Sequence, residues 1–180
     1  FPMVVDSDCL LNAWQSAGKL LMKLIEKGEK VVFIAQGDIS LFSTGSYMAM
    51  EFEKNYPECV IKLIPGITSF SAAAAKSKHP LAFQQEQLLV SPVPESYLKL
   101  KTLLTEAAYL NRVVVLMKLG DKWPWVRSLL EELELLESSV FAERVGFPDE
   151  KVVKGPDLPS GIRPYFSLLI IRQCWPSTMP

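Results

Sequence analysis

Between Gly37 and Ser46 the chain sets one carboxylate, Asp38, among four hydroxyls, Ser40, Ser43, Thr44 and Ser46. Between Pro65 and Ser69 it sets a proline-glycine turn ahead of two more hydroxyls, Thr68 and Ser69. A carboxylate accepts hydrogen bonds from an ammonium group or a ribose hydroxyl, hydroxyls donate and accept, and glycine lets a ligand approach the backbone closely. Such a set suits a small polar ligand. Taken singly, Asp38, Ser43 and Thr68 read equally well as helix caps; two such bends on one edge of a sheet would form a joint site. Phosphate cradles fit the spacing poorly. Neither GxGxxG nor GxxxxGK[ST] occurs and no lysine follows at the required distance, so a nucleoside without phosphates is the better candidate.

Other catalytic constellations are thin. His79 is the only histidine, and it directly precedes Pro80; a structural or exposed role is the expectation, and a Ser/His/Asp triad has little support. The carboxylates Glu131, Glu132, Glu134 and Glu137 fall on what should be the wet face of a helix. No cluster of His, Cys and acids offers a metal site. Methyl transfer from a sulfonium suits such poverty: the donor is already activated, and the protein mainly aligns nucleophile, methyl carbon and leaving sulfur. No general base is assigned.

These bends need strands and helices to hold them. Leu10, Leu11, Trp14, Ala17, Leu21, Leu24 and Ile25 recur at helical spacing, with Asp8 as N-cap and Gly28 beyond the C-terminus. Val31 to Ala35 and Val60 to Ile64 are continuous apolar runs, the pattern of parallel strands covered on both faces. Helices follow each run, near Ser46 to Asn55 and in the small-residue stretch after Gly66. Helix alternating with strand implies βαβ units and an α/β fold. The rhythm changes over His79 to Gln87, which divides the chain into domains at 1–84 and 85–180. Beyond it come strands at Leu88 to Ser91 and Val113 to Met117, and helices at Glu95 to Ala108 and from Trp123-Pro124 to Leu136. Three short strands follow, at Val140 to Arg144, Lys151 to Lys154 and Phe166 to Ile171. Consecutive strands without helices pair antiparallel, so the second sheet should be mixed.

With 180 residues, 49% of them hydrophobic and 22% charged, the chain can bury a substantial core. A net charge of -1 gives no field for gathering nucleic acid. Cys9, Cys59 and Cys174 suggest neither a disulfide framework nor a zinc site, pointing to reducing cytoplasm. No apolar run reaches the roughly 18 to 20 residues of a membrane span. Phe1 to Val5, without an initiator methionine, reads like the interior of a longer chain.

"GDISLFST" (Gly37 to Thr44), "IPGITSFSAAAA" (Ile64 to Ala75), "HPLA" (His79 to Ala82), "KLGDKWPWVRSLLEE" (Lys118 to Glu132) and "FAERVGFPDE" (Phe141 to Glu150) stand in the order found in the tetrapyrrole methylases. The resemblance covers the chain from Phe1 to about Ile171. It is nearest to the branch that methylates the meso carbon C-20 of precorrin-2 or cobalt-factor II in cobalamin biosynthesis, where "FPM" (Phe1 to Met3) also has a counterpart. It implies a homodimeric, two-domain α/β methyltransferase with a parallel-sheet N-terminal domain and a mixed-sheet C-terminal domain. S-adenosylmethionine would bind in a cleft between the domains; the acceptor would be a reduced tetrapyrrole with acetate and propionate groups, with no nucleic acid or membrane partner. In the family a strand and a glycine-rich loop precede the position of Phe1, so the first strand of the N-terminal domain is expected to be missing. Ile39 stands where the family commonly has proline.

By the same resemblance, Gly37, Asp38 and Leu41 match the donor-binding loop, Asp38 facing the amino-acid part of S-adenosylmethionine. Thr68 and Ser69 match contacts near the methionine moiety. Met117 matches a position packing on adenine and ribose, and Ala142, Glu143 and Arg144 fall near a second adenine-contacting segment. Ser43 and Thr44 face either donor or tetrapyrrole. Lys118, Arg127, Arg144 and Arg163 are candidates for the tetrapyrrole carboxylates. Another acceptor for the same fold, ribosomal RNA or diphthine, and a non-catalytic remnant are the competing readings.

Overall fold

The computed structural model describes residues 6–175, so the "FPM" segment lies outside the described residues. The chain forms two compact units, 1–68 and 69–180, with the break ahead of the helix after Gly66 rather than at residues 79–87.

In the first unit, α1 (Ser7–Ile25) starts two residues earlier than expected. Its N-cap is Asp6, not Asp8: the Asp6 carboxylate accepts from the Asp8 N–H at 3.0 Å. Gly28, at φ +80°, turns the chain out of the helix as expected. The second helix, α2 (Thr44–Asn55), is capped by Ser43, whose hydroxyl accepts from the Gly45 N–H at 3.1 Å. The two helices pack through a Trp14–Tyr47 stack with ring centroids 4.5 Å apart.

The expected parallel strands at 31–35 and 60–64 are not found. Both runs lie outside regular secondary structure, and no ladder joins either one to another segment among the described residues. Their continuous apolar character predicts cover on both faces, yet Val32, Ile34, Val60 and Ile64 are 80%, 87%, 100% and 70% exposed. A strand is defined by its neighbours' hydrogen bonds as much as by its own residues. The parallel-sheet N-terminal domain is therefore corrected to two helices and two non-strand runs in this unit.

The second unit is an α/β layer built on the expected mixed sheet. It comprises α3 (Ser69–Ser77), β1 (Gln87–Pro92), α4 (Tyr97–Tyr109), β2 (Arg112–Met117), α5 (Trp123–Glu132), β3 (Ser139–Glu143), β4 (Lys151–Lys154) and β5 (Ser167–Ile171). The strand order is β1-β2-β5-β3-β4. β1 and β2 are parallel, joined through α4, and β5 inserts antiparallel between β2 and β3. One sheet face, carrying Val114, Leu116, Phe141, Leu169 and Ile171, forms the core with Leu100 and Leu104 of α4 and with Trp123, Val126, Leu129 and Leu130 of α5. α3, whose Phe70, Ala73 and Ala74 are buried, packs on β4 and β5. That packing draws α3 into this unit. Pro124 in the first turn of α5 forfeits no helical hydrogen bond. α5 ends at Glu132, short of Leu136, because Glu134 turns left-handed at φ +55° and the Leu135 N–H reaches back to the Leu130 carbonyl at 2.7 Å.

At the start of β1 and the end of β5 a buried knot ties the chain. Arg172, fully buried, pairs with Glu86 and donates to the Pro80 carbonyl at 2.8 Å. Its guanidinium lies 5.1 Å from the Phe83 ring centre and 4.8 Å from that of Trp175. His79, also buried, meets Trp175 edge-on. The expected structural role for His79 is what this packing provides.

Candidate functional site

The two polar bends of the first unit lie side by side. Asp38 places one carboxylate oxygen on Ser40, accepting from its N–H at 2.9 Å and from its hydroxyl. The other oxygen accepts from the Gly66 N–H at 2.9 Å. The Ser40 hydroxyl, then the Gly66 and Ser40 N–H groups, hold the acid below its ordinary value, so it stays anionic. Gly37 turns at φ +73°, a conformation glycine adopts without strain. At Gly66 a side chain is excluded by space: a Cβ would sit 2.2 Å from the Gly37 carbonyl oxygen. Glycine at both bends lets the backbones touch, and the Asp38 bridge fixes that contact.

The loop between this bracket and α2 is shaped by Ile39. Its side chain occupies the space a Cβ on Gly45 would need, at 2.5 Å, and its carbonyl accepts from the Ser46 hydroxyl at 2.5 Å. Leu41 is half-buried and its N–H reaches the Asp38 carbonyl at 3.5 Å. Ser43 is buried and caps α2, the bland role that its type allowed; Thr44 opens that helix. Thr68 ends this unit and Ser69 opens α3 in the next.

In the second unit the sheet gathers the remaining candidates. β2 and β3 are each antiparallel to β5, so they run in the same direction and end at one edge. Met117 and Ala142 are both in register with Leu168, which puts the three side chains in one row on one face. Met117 is half-buried and Ala142 buried. Glu143 and its partner in register, Ser167, project from the opposite face. Immediately beyond these strands, Lys118 and Arg144 turn left-handed, at φ +60° and +51°. Such backbone conformations cost free energy in a side-chain-bearing residue and cluster where an edge serves a function.

The basic candidates for the acceptor's carboxylates carry partners of their own. Arg144 pairs with Asp149 at 2.8 Å and stacks on Phe147, 4.4 Å from its ring centre. Arg127 pairs with Glu131 at 3.4 Å along α5. Lys118 Nζ lies 5.8 Å from the centre of the Tyr165 ring. Arg163 donates to Glu143 through Nε at 2.8 Å and Nη2 at 2.7 Å. This last pair, like the Arg172–Glu86 pair, escapes sequence reasoning because its partners are 20 or more positions apart with no periodicity to link them.

Among the described residues no group of three or more His, Cys, Asp or Glu side chains could hold a metal ion, and no helix is long and apolar enough to cross a membrane. The three cysteines are free thiols.

Residues 1–156 match the family model of the Tetrapyrrole (Corrin/Porphyrin) Methylases. The chain is 30% identical over 179 residues to the cobalt-precorrin-2 C(20)-methyltransferase of Salmonella typhimurium, covering 97% of this chain and 72% of that one. It spans 61% and 63% of the length of two further curated relatives with corresponding names. Among solved structures, the cobalt precorrin-4 methyltransferase CbiF superposes with TM-score 0.64 at 19% identity, over 87% of this chain and 69% of that one. A uroporphyrin-III C-methyltransferase from Thermus thermophilus, complexed with S-adenosylhomocysteine, superposes with TM-score 0.57 at 19% identity, over 88% and 73%.

Proposed function

This chain belongs to the tetrapyrrole methylases, and on that premise we propose that it methylates C-20 of precorrin-2 or its cobalt-containing counterpart in cobalamin biosynthesis, with S-adenosylmethionine as donor. The observation that carries the reading is the identity, along nearly the whole chain, with the Salmonella enzyme named for that reaction. The donor finds support in the site chemistry. Asp38, kept anionic by Ser40 and Gly66, complements a cationic ligand. Met117, half-buried at the end of β2, supplies an apolar side chain of the kind an adenine ring packs on.

Bound S-adenosylmethionine supplies an electrophilic methyl group and a neutral thioether as leaving group. The chain's part is to bind, orient and exclude water, because in-line displacement gains most from alignment. The acceptor carbon forms the new C–C bond while the C–S electron pair stays on sulfur. The proton lost from carbon goes to water or to the acceptor's own nitrogens, so no side-chain base is required. We place the protein in the cytoplasm, where its three thiols stay reduced, and as a homodimer, with a small-molecule acceptor rather than a nucleic acid.

Incubating the full-length native protein with S-adenosylmethionine and each acceptor, then weighing the products, tests the proposal. Addition of one methyl group to precorrin-2 or to its cobalt form supports it. Modification of neither, with donor still bound, contradicts it.

A further inference from the structure

Glu143 ends β3 with a side chain only 6% exposed, on the core side of the sheet beside Phe141. One of its oxygens accepts both Nε and Nη2 of Arg163. Arg163 sits in the segment between Leu158 and Ser167, and that segment is tied down along its length. The Trp123 indole donates to the Pro159 carbonyl at 2.7 Å, and the Arg163 N–H to the Gly120 carbonyl at 3.2 Å. The Arg144 N–H donates to the Phe166 carbonyl at 2.8 Å, and the Ser167 hydroxyl to the Pro164 carbonyl at 2.6 Å.

So much anchoring has an unusual product. Ile162, Tyr165 and Phe166 are 72%, 42% and 52% exposed, although the segment that bears them is fixed at the edge where Met117 and Glu143 end their strands. Leu158, in the same segment, is buried, so the segment has an inward side and these three residues are outside it. A buried ion pair adds little net stability, since desolvating both charges offsets their attraction. The Arg163 and Glu143 side chains are 19% and 6% exposed, and what their pairing fixes is the position of the segment that carries Arg163.

We propose that Glu143 is a positioning residue: through Arg163 it fixes the 158–167 segment so that Tyr165 and Phe166 form one wall of the ligand site. The inference rests on the methylase reading above and reassigns Glu143 within it. Its carboxylate faces away from the Met117–Ala142 row and acts on the ligand only through the segment it holds.

Two variants of the full-length protein test this by calorimetry with S-adenosylhomocysteine and by separate KM and kcat values for donor and acceptor. In the double variant Glu143→Leu/Arg163→Met, apolar groups replace the ion pair. Its melting temperature is expected to match the wild type or exceed it, while ligand affinity or KM worsens at least tenfold. In Tyr165→Ala/Phe166→Ala, two half-exposed rings are removed with their contacts to Lys118 and Phe147, and a loss of the same order is expected with the fold intact. Unchanged binding and KM in either variant would overturn the assignment. Wild-type protein that binds no S-adenosylhomocysteine would instead defeat the donor reading itself, so the wild-type arm separates the two failures.

Discussion

The carboxylate of Asp38 and the backbone N–H of Gly66, 28 positions apart in the chain, share a hydrogen bond of 2.9 Å. That bond makes one surface of two bends. Its persistence depends on the acid being ionised, and the sign is fixed by the depressed value of Asp38: its stabilisation is fully present above the ordinary 3.8 and is lost only as pH falls through the lower folded-state value. The Gly66 amide resonance, followed by NMR from neutral pH downward, should therefore titrate with a midpoint below 3.8. A midpoint at or above that value would show the bracket absent in solution.

Gly66→Ala tests the same contact sterically. A methyl group 2.2 Å from the Gly37 oxygen cannot be accommodated without moving one bend. A displacement of about 1 Å in a binding site costs roughly 10²-fold in rate, and we expect donor turnover to fall by that order. Activity within a factor of two of wild type would mean that the bends can separate freely.

Arg172 predicts a stability effect away from the site. Arg172→Met leaves the buried Glu86 carboxylate without its counter-ion and the Pro80 carbonyl without its donor. Breaking a buried pair on one side costs about 3–5 kcal/mol, which urea denaturation would read directly. A loss below about 1 kcal/mol, typical of an exposed pair, would place Glu86 in water.

His79 gives a pH signature. Burial first, then the nearby positive charges of Arg172 and Lys154, lower it from 6.5 to about 4. Below 6.5 the unfolded chain takes up the proton and the folded chain does not, so stability falls progressively as pH drops from 6.5 towards about 4 and is complete above that window. The contribution amounts to at most about 3 kcal/mol. Urea midpoints for wild type and His79→Gln, compared across this range, should converge as pH falls. Parallel curves would rule out a neutral, buried His79.

The elements that sequence alone places well are those with a strong local pattern. The helix around Trp14 and the strand at Val113 to Met117 carry periodicity and continuous apolarity in their own residues, and both form where expected. The mixed sheet was legible because three strand patterns follow one another without a helix. The runs at 31–35 and 60–64 carry an equally strong pattern and form no ladder among the described residues, because apolarity gives the demand for neighbours without supplying them. Within the site, the polar bends at Asp38 and Thr68 were legible as residue types. The Asp38–Gly66 bridge, the Ile39–Gly45 fit and the Glu143–Arg163 pair were not, since each joins positions whose meeting only the folded backbone decides.

The central claim is that the bends at Asp38 and Gly66 take part in binding the methyl donor, and titration calorimetry of the full-length native protein with S-adenosylmethionine and with its product S-adenosylhomocysteine addresses it most directly. The account predicts saturable binding at one site per chain, weakened at least tenfold, or about 1.4 kcal/mol, by Asp38→Ala. Heats indistinguishable from dilution, or an affinity unchanged by Asp38→Ala, would contradict it.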